Sequence, residues 1–536
     1  MAVTESIERE LKFEAGIDIA FPRLDTVKRV AEARGPDRAQ LSATYFDTPG
    51  LDLSRARITL RHRTGGSDAG WHLKLPSSEG ARREVHSPLT DLASGPPSDL
   101  IDHIQVHVRG QELFPIAVIV NQRSTTTLIG KDGAALAEVT DDHVTGLSVR
   151  PGLRHETHWR EWEAALITGD EKLLDAIRER VLAAGAHDSP SPSKLARTIG
   201  PLTDSPARGT SPGHGDAGSD PAGSDPAGSD PAGSEDARFP RGTAGALAVD
   251  SLRTHRAAFL AHDPLVRANA PDAIHQMRVA ARRMRSVLRA YRPILDRSRT
   301  DPVESELKWL AKVLGEARDA EVMHRRLAAL IDTQAPGTIA TSTRKSLLGT
   351  QQEAFDAAFA AVVEALRSDR YFDLLTSLDQ LLGAESFNRK ARSDAEEIVD
   401  KALLRLFRRI RGHVRDAAAA ASQQERDPLL HTVRKESKRL RYAAEVASKH
   451  HVGRKPLKRI KRARNAAEDV QEILGEHQDG VITRALLDDY SGRAAAISVP
   501  ANELARLAGY EQALADIAEA RFKPAWKKLR KAIRQL

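Results

Sequence analysis

Near the start of the chain, Ile7-Glu8-Arg9-Glu10-Leu11-Lys12-Phe13 sets two acids and a base at alternate positions. Read with the two-residue period of a strand, Glu8, Glu10 and Lys12 share one face and Ile7, Leu11 and Phe13 the other. Carboxylates fixed in this way suit hard divalent cations, and neighbouring Lys and Arg suit phosphate oxygens. Taken alone, the heptad is equally a half-buried strand showing its charges to water. The same arrangement recurs, however. Ile58, Leu60 and His62 alternate with Thr59, Arg61 and Arg63; Trp71, Leu73 and Leu75 with His72 and Lys74; Trp162 with Glu161 and Glu163. Several strands, acidic on some and basic on others, predict a sheet curled around a charged lumen. Arg57 and Arg160 fall out of phase with those faces and read as solvated, while His62 and His72 read as packing or surface histidines.

A second constellation lies far downstream. Ile274-His275-Gln276-Met277-Arg278 continues through Arg282, Arg283 and Arg285, and returns as Leu430-His431-Thr432-Val433-Arg434 with Lys438, Arg439 and Arg441. Leu314-Gly315-Glu316-Ala317-Arg318-Asp319 is echoed by Leu474-Gly475-Glu476-His477-Gln478-Asp479. Nearly equal spacing marks an internal duplication of a helical unit of four helices. At about 100° per residue, His275, Arg278, Arg282, Arg285 and Arg289 line one narrow helix face, as do His431, Arg434, Lys438 and Arg441. Like charges stacked this way repel, and a polyanion turns that repulsion into attraction. Asp319 and Asp479 are expected to position the bases. A metal held by the two histidines is disfavoured by the cations around each. The basic run at 454–464 has no register tying it to the stripe, and a solvated face explains it equally well.

The elements that must position these residues follow from pattern. Residues 1–200 read as strand-rich α+β, with a helix expected at 24–33 ended by Gly35-Pro36, a strand end and turn at 45–50, and hairpin loops at 65–66 and 77–80. Further strands are expected at 116–120, 125–129 and 134–139, with a turn at 131–133 and an amphipathic helix at 171–184. A linker covers 201–240. Its Gly-Ser-Asp-Pro-Ala repeats between 216 and 236 are too poor in apolar residues to offset ordering entropy, so disorder is expected. Residues 241–536 read as all-helical.

The chain of 536 residues is too long for one core. Its lack of cysteine excludes disulfides, thiolate metal sites and cysteine nucleophiles. No apolar run reaches the length of a membrane span, so no membrane association and a cytoplasmic location are expected. Nucleic-acid binding is disfavoured because aromatic stacking residues are scarce and no reader motif is present.

The N-terminal series resembles the CYTH domain of the triphosphate tunnel metalloenzyme superfamily. The matching residues are ExExK at Glu8, Glu10 and Lys12, Tyr45-Phe46-Asp47-Thr48-Pro49, Leu60-Arg61-His62-Arg63, and His72-Leu73-Lys74-Leu75-Pro76. Arg82-Arg83-Glu84-Val85, Arg123, Glu161 with Glu163, and Ser193-Lys194 continue the match. The resemblance implies an antiparallel β-barrel forming a tunnel, and hydrolysis of inorganic triphosphate or a similar short triphosphate with Mg²⁺ or Mn²⁺. It implies metal ligands at Glu8, Glu10, Glu161 and Glu163. It implies phosphate contacts at Lys12, Arg61, Arg63, Lys74, Arg83, Arg123 and Lys194, with Tyr45 and Lys74 orienting or deprotonating a water. Where relatives place two alternating acids on a middle strand, this chain reads Ala137-Glu138-Val139-Thr140-Asp141-Asp142, which leaves Glu138 and Asp142 as the further ligand candidates. Adenylate cyclase chemistry, known elsewhere in that superfamily, lacks a visible adenine pocket here.

The C-terminal motifs resemble the CHAD domain. That implies two pseudo-symmetric four-helix bundles around a basic groove that binds inorganic polyphosphate, through His275, Arg278, Arg282, Arg285, His431, Arg434, Lys438, Arg439 and Arg441. The alternative is a non-catalytic polyphosphate-binding protein targeted to polyphosphate granules.

Overall fold

The computed structural model describes residues 4–76, 82–201, 237, 239–450, 454–493 and 499–535. The chain divides into two compact units, Met1–Gly233 and Ser234–Leu536. The expected linker lies almost wholly outside the described residues, as does the hairpin loop expected at 77–80.

Among the described residues, the first unit is one ten-stranded antiparallel sheet with four α-helices. Its strands are β1 (Thr4–Glu8), β2 (Glu10–Ala15), β3 (Glu32–Asp47), β4 (Thr59–Thr64), β5 (Gly70–Pro76), β6 (Arg82–Pro88), β7 (Phe114–Ile129), β8 (Ala135–Ser148), β9 (His155–Leu166) and β10 (His187–Asp188). The helices are α1 (Asp52–Arg55), α2 (Ser98–Val108), α3 (Glu171–Ala183) and α4 (Lys194–Ile199). The hydrogen-bonded order is β1-β6-β5-β4-β3-β7-β8-β9-β2-β10. That order is open, yet its two sides are drawn together by one segment: β1 pairs with β6, β2 pairs with β9, and only Arg9 separates β1 from β2. The opening heptad is therefore two short strands rather than one. The separate strands expected at 116–120 and 125–129 are one strand, β7.

Alternation decides which face turns inward. Phe13, Trp162, Ala164 and Val139 bury beneath Leu173, Ile177 and Val181 of α3. Leu60, Trp71, Leu73 and Val85 bury beneath Leu100, Ile104 and Val108 of α2. Each large apolar side chain removed from water contributes about 1.5–3 kcal/mol. With the outer face covered in this way, the charged residues between these positions turn into the lumen. Helix α4 enters from one end. Its Leu195 and Ile199 pack on lumen-facing Ala43, Tyr45, Ile119, Val144 and Trp159, and Ser193 caps it by accepting from the Ala196 N–H at 3.1 Å.

The helix expected at 24–33 is absent. Two single turns, Val27 N–H to Leu24 O and Val30 N–H to Val27 O (both 3.1 Å), occupy the segment, and β3 begins at Glu32. Arg29 at φ 81° is left-handed, which a right-handed helix does not accommodate. Leu24 and Val27 still bury in the α3 core, which explains their apolar spacing.

The second unit is helical: α5 (Ala244–Arg267), α6 (Ala273–Ala290), α7 (Arg297–Asp332), α8 (Thr341–Leu366), α9 (Asp369–Gln380), α10 (Ala395–Ala419), α11 (Gln423–His450), α12 (Arg454–Gly492) and α13 (Ala501–Ile533). Helices α5–α8 and α10–α13 are the two copies, and α9 follows the first without a counterpart. On α6, Met277, Ala281, Met284 and Leu288 bury, which leaves the His and Arg stripe on the other side. The copies are not separate bundles. Met323, Leu327 and Leu330 of α7, Leu347 of α8, Leu487 and Tyr490 of α12, and Leu504 and Leu507 of α13 share one core.

Candidate functional site

Inside the curled sheet lies a cavity of about 240 Å³ lined from β2, β3, β4, β5, β6, β7, β8, β9 and α4. Acids come from β2 (Glu10), β6 (Glu84), β8 (Glu138) and β9 (Glu163), and bases from β2 (Lys12), β4 (Arg61, Arg63), β5 (Lys74), β7 (Arg123) and α4 (Lys194). Glu10 and Glu138 flank Ala165 of β9 from either side in register.

Beside this cavity the acids and bases satisfy one another. Asp142, Glu161 and Glu163 are 0%, 3% and 9% exposed, and one oxygen from each lies within 4.8 Å of the others. Lys194 Nζ lies 2.5 Å from Glu161, 2.8 Å from Glu163 and 3.0 Å from Asp142. Arg123 donates to both oxygens of Asp142 (2.8 and 2.6 Å) and to Glu163 (2.8 Å). Lys12 bonds Glu163 and lies 3.2 Å from Glu10. Burial opposes the charges of Lys12, Arg123, Asp142, Glu163 and Lys194, but their partners outweigh it. Glu163 is held well below the usual carboxylate range by Lys12, Lys194 and Arg123, and Asp142 is lowered by Lys194 and Arg123. Lys12, Lys194 and Arg123 are raised by those carboxylates. An all-carboxylate set of this kind fits a hard dication, which would take the place of the Lys194 ammonium.

Along the basic strands, Arg61 Nη1 lies 3.5 Å from the Tyr45 hydroxyl. Burial pushes the Tyr45 phenol up, but Arg61, Lys194 and Lys74 hold it below its ordinary value. Arg63 is pushed down to about 9 by burial, then by Arg61 and Arg123, and pairs with Asp68. Glu84, which sequence reasoning gave no role, is 8% exposed and 3.6 Å from both Arg61 and Lys74. His72 Nδ1 lies 2.8 Å from Glu84 and its Nε2 2.8 Å from the Asp68 carbonyl; burial lowers its pKa to about 4, and the neutral ring donates to one of the two. It acts as a neutral strut. The signal for Glu84 was present: it alternates with Val85 and pairs in register with Lys74.

Two expectations about these strands are corrected. Arg83 shares the outer face with Val85 and Leu75, and its Nη2 lies 3.3 Å from His103 of α2, so it is not in the lumen. The side chain of Glu8 lies outside the described residues. Arg160 is not solvated. It is 8% exposed, donates twice to Asp141 at 2.8 Å, and donates to the carbonyls of Gly16, Ile17 and Ile19. Arg57 is exposed, and His62 packs against Trp71 with ring centroids 4.9 Å apart.

In the helical unit the two stripes meet. Arg282 donates to the Tyr442 hydroxyl across the α6–α11 contact at 3.2 Å, and Arg283 lies 3.2 Å from Glu445. Arg282, Arg283 and Arg441 all lie over the Tyr442 ring, 5.6, 5.7 and 4.7 Å from its centroid. Lys438 is bonded to no carboxylate among the described residues. Burial, then Arg282, Arg434, Arg441 and Arg278, push its pKa down to about 6. Burial lowers His275 and His431 too, His431 to about 4, and Arg282 and Arg285 are lowered likewise. Arg278 bonds Asp319 at 2.8 Å and lies against Gly315, where a Cβ would be 3.2 Å from its Nη2. Arg434 lies against Gly475 in the same way. Arg441 pairs with Glu468 at 2.8 Å and Arg439 with Glu436. Tyr442, absent from the repeated motif, had no sequence signal.

Comparison with known proteins agrees with both geometries. The CYTH domain family matches residues 6–199 and the CHAD domain family residues 250–488. An uncharacterized protein of Mycobacterium tuberculosis (strain CDC 1551 / Oshkosh) is 35% identical over 546 aligned residues, covering 99% of this chain and 97% of its own length. Among solved structures, PptA from Streptomyces chartreusis is similar at 21% identity and a TM-score of 0.43, over 53% of this chain and 99% of that one. The CHAD domain from the plant Ricinus communis is similar at 21% identity and a TM-score of 0.42, over 56% of this chain and 96% of that one. Among the described residues, no helix is long and apolar enough to cross a membrane. The chain therefore belongs to the family of proteins that join a CYTH domain to a CHAD domain.

Proposed function

We propose that the N-terminal unit hydrolyses inorganic triphosphate, or a similar short linear triphosphate, with Mg²⁺ or Mn²⁺, and that the helical unit holds inorganic polyphosphate. The single observation carrying the first part is that one cavity is lined by Glu10, Glu138 and Glu163 together with Arg61, Arg63 and Lys74. A divalent ion bound at the acids would neutralise phosphate oxygens that repel an incoming nucleophile. Arg61, Arg63, Lys74 and Lys12 hold the remaining oxygens with donors that need no reorganisation. Tyr45, its phenol favoured in the ionised form by Arg61, Lys194 and Lys74, accepts a proton from the attacking water. The water oxygen bonds to the terminal phosphorus as the bridging P–O bond breaks and pyrophosphate leaves. Glu84 and His72 keep Arg61 and Lys74 in place.

The non-catalytic alternative draws support from one feature: Lys194 and Arg123 already satisfy Asp142, Glu161 and Glu163. Phosphate release from inorganic triphosphate separates the two. Release that needs Mg²⁺ or Mn²⁺ and falls at least about 100-fold in Glu10→Ala and Lys74→Ala supports the enzyme. No release at any metal concentration, with polyphosphate still bound, supports the alternative. For the helical unit, convergence of the two stripes on Lys438 is the supporting observation. Polyphosphate should displace duplex DNA at matched salt; equal binding per charge would count against the assignment.

A further inference from the structure

The duplication that builds the helical unit predicts two equivalent clefts, one on each side of the α6–α11 contact, and the structure contains both. The step that carries His275 to His431 also carries Arg283 to Arg439, Ser286 to Tyr442 and Ala290 to Val446. One cleft is formed where α5 meets α6 and α11, and includes Arg283, Ser286, Ala290, Tyr442 and Val446. Its mate is formed where α10 meets the same two helices, and includes Ser286, Ala290 and Arg439. The backbone frame is shared but the charge is not. The α5 cleft presents Asp250, His255 and the Arg283–Glu445 pair. The α10 cleft presents Arg289, Arg405, Arg409 and Arg439 over a floor of Ala402, Leu406 and Ala290.

We propose that the α10 cleft is an additional anion subsite, which takes phosphate groups of a long polyphosphate chain as it leaves the groove on that side only. This rests on the polyphosphate reading of the groove and adds a direction to it. Four arginines meet two carboxylates: Arg289 pairs with Glu304, and Arg439 with Glu436. Arg405 and Arg409 are exposed and have no carboxylate partner among the described residues, so the cleft keeps an excess of two positive charges. Arg285 links it to the groove. Its Nε is buried without a hydrogen-bond partner; burial, then Arg289, Arg439 and Arg282, work against its charge, and Glu304 supports it. The basic path therefore runs from Arg278 and Lys438 through Arg285 to α10, with Glu304 and Glu436 the carboxylates paired along it. At the α5 cleft, Asp250 and Glu445 oppose the same anion. Guanidinium groups are suited to successive phosphates because each offers a planar fork to two oxygens.

The experiment uses the full chain and polyphosphate of defined lengths, from chains that span only the Lys438 region to chains several times longer. The double variant Arg405→Glu with Arg409→Glu is expected to weaken long-chain binding by roughly tenfold or more and to lower the slope of log K against log salt by about 1 to 2. Short chains should bind as to the parent. Arg408→Glu, on the same helix but outside the cleft, is the control and should leave long-chain affinity nearly unchanged. Unchanged long-chain affinity in the double variant, an equal loss in Arg408→Glu, or an equal loss for short chains would each overturn the subsite. No polyphosphate binding by the parent chain would instead overturn the reading on which it rests. Both arginines are exposed, and unchanged thermal unfolding of the variants confirms that the loss is one of binding.

Discussion

Two buried lysines, one in each unit, meet opposite surroundings. Lys194 lies against Glu161, Glu163 and Asp142 at 2.5 to 3.0 Å. Burial works against its charge, but the three carboxylates raise its pKa above the ordinary value. Lys438 is partly buried, yet four arginines face it, and its pKa falls to about 6. The first site is neutralised from within, so a ligand must exchange partners with what is already there, and a metal–phosphate complex brings both charges needed for that exchange. The second site is left unbalanced, and a polyanion completes it. On the function proposed above, charge in one unit serves chemistry and in the other capture.

The strongest way to break this contrast is to remove the hub of the balanced site. Glu163 joins Lys12, Lys194 and Arg123. Glu163→Gln is expected to destabilise the N-terminal unit by about 3–5 kcal/mol, because it leaves buried cations short of a partner. Urea unfolding followed by fluorescence of Trp71, Trp159 and Trp162, with Trp309 and Trp526 changed to Phe, reads this directly. An unchanged midpoint would show that the network is not what holds these charges. Acid should act in the same direction. Glu163 has its folded pKa below the ordinary 4.5, so its stabilisation is complete above that value and is lost as pH falls beneath it.

Removing the charge at the unbalanced site should have the opposite effect on stability. Lys438 titrates near 6 when folded and near 10.5 when unfolded. Between those values the unfolded chain carries the extra proton, so stability rises with pH across the window and is lowest below about 6. Lys438→Met should therefore stabilise the helical unit by about 1 kcal/mol or more at pH 6, with a smaller gain at pH 9. The same substitution should weaken polyphosphate binding. Melting curves at the two pH values provide the check. A variant less stable than the parent at pH 6 would mean that Lys438 is not under electrostatic strain.

The contrast was only partly legible in the sequence, for a physical reason. A strand alternates strictly, so Glu161-Trp162-Glu163 and Leu60-Arg61-His62-Arg63 announced a charged face and an apolar face before any contact was known. The duplication announced the basic stripes in the same way. What the sequence cannot show is which outward positions are later covered. Arg160 was correctly placed out of phase, but the loop at 16–19 closes over it and supplies three carbonyls. Arg83 was assigned to the lumen by the family resemblance, although its phase with Val85 sets it on the outer face, where α2 puts His103 beside it. Apolar residues every third position at Leu24, Val27 and Val30 suggested a helix, and left-handed Arg29 makes them two turns instead. Tyr442 gains its role from Arg282 on a different helix, a contact that no local pattern encodes.

The smallest effect compares the two copies of the basic site with each other. Gly315 and Gly475 each let an arginine lie against a long helix. An added Cβ would be 3.2 Å from Arg278 Nη2 at the first and 3.4 Å from Arg434 Nε at the second. The first distance is tighter than carbon and nitrogen ordinarily accept, while the second is close to normal contact. Alanine also favours the helix by about 1 kcal/mol over glycine. Stability and binding should therefore separate. Gly315→Ala should gain up to about 1 kcal/mol in thermal stability and lose affinity for polyphosphate by roughly two- to threefold as Arg278 shifts from Asp319. Gly475→Ala should show a similar gain in stability with little change in affinity. Equal losses in both would show that the two arginine seats are equivalent, and no loss in either would show that the glycines serve the helix path and not the arginines.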